Sequence, residues 1–85
     1  RRVIFELYAP LSEKVELAGC FNSWKPQATP LSRDVDGIWR VEILLPPGRY
    51  EYRFRIDGEW WQNDPDAAES VPNAFGTWNC VLKVE

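Results

Sequence analysis

Five tryptophans stand in an 85-residue chain that has no histidine. Trp39 falls inside an alternating apolar run and reads as core. Trp24 does not. It sits in Phe21-Asn22-Ser23-Trp24-Lys25-Pro26, a polar stretch closed by proline. Trp60 and Trp61 follow Asp57-Gly58 and precede Gln62, Asn63 and Asp64, and Trp78 stands between Thr77 and Asn79. A loop tryptophan offers a flat, rigid, largely apolar plate at low entropy cost. Asn, Thr, Gln and Arg beside it supply donors and acceptors, and Asn79, Thr77 and Arg53 are of that type. A plate with a polar rim suits a pyranose ring, which has an apolar C–H face and hydroxyls at its edge. Composition alone leaves two readings open: sugar contact, or aromatic plugs at the ends of a sandwich.

Other chemistries lack their parts. Without histidine the usual triads and dyads lose their base. No Gly-rich phosphate loop is present. Asp34-Val35-Asp36-Gly37 has a faint look of a calcium loop, but the register that makes Gly37 the sixth position puts Ile43 where the bidentate Glu belongs; we read it as a turn. Asp57, Glu59, Asp64 and Asp66 are a local carboxylate cluster at a hairpin and its loop, where acids are ordinary solvation rather than the two carboxylates of a glycosidase. The chain carries 10 Lys+Arg against 13 Asp+Glu, net −3, which argues against a nucleic-acid partner and gives no reason to invoke an anionic membrane. No run approaches the ~18 apolar residues of a membrane span, and no metal or cofactor is expected. Cys20 and Cys80 are too few for a disulfide framework and are expected to be two buried thiols. The chain has no Met, so we expect residues 1–85 to be a single module cut from a longer protein.

The elements that must position these residues follow a period of two. Tyr50, Tyr52, Phe54 and Ile56 fall on one face of a strand, with Arg49, Glu51, Arg53 and Arg55 on the other. Trp39, Val41, Ile43 and Leu45 alternate likewise with Ile38, Arg40, Glu42 and Leu44. Val3, Phe5 and Leu7 form a third inward face, and Val15, Leu17 and Gly19 a fourth, alternating with Lys14, Glu16 and Ala18. Asn79 to Val84 is a last strand whose inward face is open between Cys80-Leu82-Val84 and Val81 with its neighbours. Asp36-Gly37, Pro46-Pro47-Gly48 and Asp57-Gly58 mark the turns, the last as a tight hairpin. Trp60 and Trp61 must point to opposite faces of any strand that contains both. Asp64 to Asn73, with Pro65 and Pro72, reads as a long loop, with at most one helical turn at Ala67-Ala68-Glu69. Short strands at this spacing predict an all-β sandwich or barrel.

Several blocks, in order, resemble family 48 of the carbohydrate-binding modules and the glycogen-binding domain of the AMP-activated protein kinase β subunit. They are Leu17 to Trp24, Gly37-Ile38-Trp39, Leu45-Pro46-Pro47-Gly48, Tyr50 to Trp60, Asn63-Asp64-Pro65 and Phe75 to Asn79. The resemblance implies an immunoglobulin-like, early-set β-sandwich of two antiparallel sheets. It also implies a non-catalytic site for α-1,4-linked glucan: glycogen, starch, maltooligosaccharide or β-cyclodextrin. By resemblance, Trp24 and Trp60 are the two stacking tryptophans. Arg53 stands where the kinase-type modules carry a Lys that hydrogen-bonds the glucan. Thr77 and Asn79 fall on the hydrogen-bonding pair, and Phe75 on a Leu that reaches into the turn of the glucan, where an aromatic ring stacks or blocks. Glu59 and Trp61 depart from those modules, and Trp61 and Trp78 are read as packing. The resemblance further implies an attached catalytic or regulatory domain. Its rivals are a packing domain of a branching or debranching enzyme, a protein-interaction module, and an enzyme fragment.

Overall fold

The computed structural model describes residues 1–85. Eight strands follow in order: β1 (Arg2–Tyr8), β2 (Val15–Gly19), β3 (Ser32–Arg33), β4 (Ile38–Leu44), β5 (Gly48–Ile56), β6 (Trp60–Gln62), β7 (Glu69–Pro72) and β8 (Trp78–Val84). Every pairing is antiparallel. One sheet runs β1-β4-β3 and the other β2-β5-β8-β7, with β6 also paired to β5. The result is an immunoglobulin-like, all-β sandwich.

The inward faces of the two sheets make one core. Phe5, Leu7, Trp39 and Leu45 come from the first sheet and the residue after β4; Val15, Leu17, Tyr52, Phe54, Ile56 and Cys80 come from the second. Phe54 and Leu17 are wholly buried. Each such side chain contributes about 1.5–3 kcal/mol relative to exposure. Phe5 and Tyr52 meet edge to face across the sandwich, 4.9 Å between centroids at 72°. Trp39 belongs to this core, and its indole N–H donates to Ala9 O at 2.9 Å.

β5 is the axis of the second sheet. Its residues 52–56 pair with β2 on one edge. On the other edge, Gly48–Tyr52 pairs with β8 and Phe54–Ile56 with β6. The outward face of β5 is therefore a continuous platform flanked by three strands, and Glu51, Arg53 and Arg55 project from it.

Four expectations need correction or completion. Glu16 and Ala18 stand on the outer face as expected, opposite Arg55 and Arg53, but they are buried there. Thr29–Leu31 runs along the free edge of β2, with Leu17 N–H on Thr29 O and Leu31 N–H on Val15 O, both at 2.9 Å. The segment 64–73 is not all loop: β7 adds at the edge of β8 from Glu69 to Pro72, a position where proline costs no ladder bond. The open face of the last strand resolves to Cys80, Leu82 and Val84 inward. The two thiols are both free, but only Cys80 is buried; Cys20 is exposed.

Candidate functional site

Trp24 is presented by a loop that its own sequence stitches together. Asn22 Oδ1 accepts from Gly19 N–H at 3.0 Å, while Asn22 Nδ2 donates to Leu17 O and Thr29 Oγ1, both at 2.9 Å. Gly19 lets the loop turn off β2 directly over β5. A Cβ there would come within 2.6 Å of Glu51 O and 2.5 Å of the Phe21 ring. Ser23 and Trp24 then take φ of 58° and 57°, consecutive left-handed residues. A bulky residue in that region is a strained outlier, of a kind that clusters at binding sites. The half-buried ring reaches the outer face of the second sheet.

The second ring on that face is Trp61. Its centroid lies 6.4 Å from that of Trp24 at 78° between planes. Arg55 packs over the Trp61 ring at 4.8 Å and Arg53 at 5.8 Å, cation–π contacts that fix the plate. Trp60, expected in this role, points the other way, toward Leu7, Tyr8 and Ile56. The cause is the β5–β6 turn. Asp57 and Gly58 have φ of 51° and 68°, and Glu59 N–H donates to Ile56 O at 2.9 Å. A two-residue hairpin would then set Ile56 against Glu59 and Arg55 against Trp60. Instead Ile56 faces Trp60 and Arg55 faces Trp61. Glu59 is thus an extra residue, and one extra residue flips every side chain that follows. Asp57 is pinned there by accepting from Glu13 N–H and Lys14 N–H at 2.8 and 2.9 Å.

A polar network forms the rim. Arg53 donates from Nε to Asn63 Oδ1 at 2.7 Å and from Nη1 to Thr77 Oγ1 at 3.2 Å. Asn63 is held by Asn63 Nδ2 on Trp78 O at 3.0 Å. The next residue, Asp64, accepts from the Tyr52 hydroxyl at 2.7 Å. Burial, then this hydrogen bond, pushes the Tyr52 phenol well above its ordinary range, so it stays a donor. Asn73 organises the loop before β8. Its Oδ1 accepts from Phe75 N–H at 3.0 Å and Thr77 N–H at 3.1 Å, and its Nδ2 donates to Asn79 Oδ1 at 3.0 Å. Asn79 Nδ2 donates to Glu51 Oε1 at 3.2 Å, and Arg49 to Glu51 Oε2 at 2.9 Å. These two bonds, Asn79 first, hold the Glu51 carboxyl below its ordinary range, so it is ionised at neutral pH. Phe75 stands at the loop tip, 90 % exposed.

Together these parts enclose an open cleft of about 470 Å³. Of the six residues expected to form a site, Trp24, Arg53, Phe75 and Asn79 line it. Thr77 stands behind the rim, holding Arg53 and Asn73. Trp60 is outside. Trp61, Glu51 and Asn73 line the cleft and were not among the expected residues. Alternation could have flagged Glu51, which shares its face with Arg53. Nothing in the residue types alone separates Trp61 from Trp60. The cleft has plates, donors and acceptors, and its one carboxylate, Glu51, is committed to Asn79 and Arg49. No group of His, Cys, Asp or Glu is arranged to hold a metal.

The profile of the family described as Carbohydrate-binding module 48 (Isoamylase N-terminal domain) matches residues 1–74. Phe75, Thr77 and Asn79 lie beyond that match. The chain is 36% identical over 77 residues to the 1,4-alpha-glucan branching enzyme GlgB of Salinibacter ruber, covering 87% of this chain and 12% of that protein. It is 34% identical over 64 residues to the chloroplastic protein FLOURY ENDOSPERM 6 of Oryza sativa, covering 75% of this chain and 12% of that one. It is 36% identical over 74 residues to 5'-AMP-activated protein kinase subunit beta-1 of Sus scrofa, covering 86% and 56%. The chain therefore spans only part of each relative's length. The match runs along most of the sequence, and the all-β sandwich agrees with it: the chain belongs to the carbohydrate-binding module 48 family.

Proposed function

We propose that the chain is a non-catalytic module that binds α-1,4-linked glucan in the Trp24–Trp61 cleft and carries an attached catalytic or regulatory domain to that glucan. The observation that carries this reading is the 6.4 Å, 78° pairing of the two rings. Plates at a steep angle suit successive rings of a chain that curves, as α-1,4-glucan does, and not the flat ribbon of a β-1,4-glucan. Asn79 and Arg53, with spare N–H donors, fix the orientation of the hydroxyls, and the exposed Phe75 ring adds a third aromatic face to the lining. A single open cleft of this kind supports modest affinity, about −4 to −6 kcal/mol, or tens of micromolar to millimolar. The names of the relatives, a glucan branching enzyme among them, support the ligand class and the presence of further domains.

The test is a titration of tryptophan fluorescence with maltoheptaose and β-cyclodextrin, with cellohexaose as control, on the wild type and on Trp24→Ala and Trp61→Ala. Saturation by the α-glucans alone, lost in both variants, is the expected result. A folded wild type silent to millimolar α-glucan, by fluorescence and calorimetry alike, overturns the reading and leaves a packing domain.

A further inference from the structure

Trp60 stands on the side of β6 opposite Trp61, and it is half exposed there. It lines a second cleft of about 250 Å³ that shares no residue with the first. The buried side chains of Leu7 and Ile56 form its floor, Tyr8 and Trp60 its aromatic sides, and Ser12 and Gln62 part of its rim. Tyr8 is 69% exposed. Although 27% of the chain is charged, no carboxylate or cation lines this cleft.

Its polar tips are uncommitted. The Trp39 indole donates to a backbone carbonyl, but the indole N–H of Trp60 and the hydroxyls of Tyr8 and Ser12 make no hydrogen bond within the chain. Gln62 spends one N–H on Asn63 O at 3.0 Å and keeps its carbonyl oxygen free. An apolar protein face laid over these tips would strand four polar groups, each at the cost of its desolvation. A charged ligand would find no counter-charge. A neutral polyol with an apolar ring face matches both the plates and the tips. The volume is below that of pockets for drug-sized ligands and suits one or two sugar rings.

We infer that the Tyr8–Trp60 cleft is a second, weaker subsite for one or two glucose units of an α-glucan, set back to back with the Trp24–Trp61 cleft across β6. The inference rests on the reading of the first cleft as a glucan site. A short oligosaccharide cannot reach around β6 to fill both clefts. Two arms of a branched polymer can, and the second contact then adds avidity without any new affinity at the first.

The five indole N–H resonances report the two clefts separately. The ¹⁵N-labelled 85-residue chain and its Trp61→Ala, Trp60→Ala and Gln62→Ala variants are titrated with maltotriose to about 20 mM, a range that saturates a millimolar site. In Trp61→Ala the Trp60 indole still shifts and saturates. In Gln62→Ala, whose spectrum is otherwise unchanged, the dissociation constant read at Trp60 rises about threefold or more while the Trp24 and Trp61 responses stay. Retention on glycogen falls in Trp60→Ala more than maltotriose binding at Trp24 does. A Trp60 indole that stays silent while Trp24 and Trp61 respond in the wild type overturns the second subsite. So does a Trp60 resonance that moves only with protein concentration, which makes the cleft a self-association surface. Trp60 responding while Trp24 and Trp61 stay silent upholds this site and refutes the first.

Discussion

The left-handed backbone at Trp24 makes stability and binding separable. At φ 57° an L-residue carries a cost that glycine does not, about 1–2 kcal/mol. Both Trp24→Ala and Trp24→Gly remove the ring and its edge contact with Trp61, worth about 0.5–1.5 kcal/mol. Only the glycine variant also removes the backbone strain, and against that stands glycine's extra unfolded-state entropy of about 0.5–1 kcal/mol. Trp24→Gly is therefore expected to be more stable than Trp24→Ala by about 0.5–1 kcal/mol, a melting difference of roughly 2–8 °C in a domain of this size. Urea unfolding at constant m-value reads the difference directly. Both variants are expected to lose at least about tenfold in α-glucan affinity, or 1.4 kcal/mol, by calorimetry. A binding role for the ring, as proposed, would account for a tryptophan kept where the backbone favours glycine. An alanine variant as stable as the glycine one would refute the strain argument. A glycine variant that binds glucan as the wild type does would refute the role of the ring.

The Asn73 side chain bonds to Phe75, Thr77 and Asn79 together. Asn73→Ala should cost about 1–3 kcal/mol in urea unfolding and weaken glucan binding severalfold in calorimetry, even with both tryptophans kept. Gly19→Ala should destabilise by about 1–3 kcal/mol in thermal melts, because a Cβ would meet the Glu51 carbonyl oxygen at 2.6 Å, and backbone of a central strand does not yield. Acidification acts through Glu51. Its folded value lies below the ordinary 4.5, so its contribution to stability is complete above that value and is lost as pH falls through the folded one. The urea midpoint should decline from neutral pH to about pH 3, and Glu51→Gln, which keeps an acceptor for Asn79, should decline less.

The sandwich was legible because its strands alternate. Tyr52, Phe54 and Ile56 face the core and Arg53 and Arg55 do not, as period two requires. β7 was not legible because Pro65, Pro72 and the polar residues between them read as loop, and its pairing is supplied by β8, a contact no local pattern encodes. Glu16 and Ala18 keep the outer face that alternation gives them, opposite Arg55 and Arg53, but they are buried there, and burial on an outer face is something alternation does not encode.

Four of the six expected residues, Trp24, Arg53, Phe75 and Asn79, line one cleft, but the tryptophan beside Trp24 there is Trp61 and not Trp60. Which of Trp60 and Trp61 stands beside Trp24 is a matter of parity, and parity depends on how many residues the turn contains. Asp57-Gly58 advertises a two-residue hairpin, and the positive φ at both positions honours that signal. The register is nevertheless shifted by one residue, Glu59, so that Ile56 faces Trp60, and Asp57 is tied sideways to the backbone of Glu13 and Lys14. The tie comes from the loop before β2, far away in sequence. The turn whose length decides which indole meets the Trp24 ring is thus also held by a contact 43–44 residues away in sequence. The same step delivers the other indole to the Tyr8 cleft. Two adjacent residues of one type, one of them read from the sequence as packing, stand on two faces of one strand.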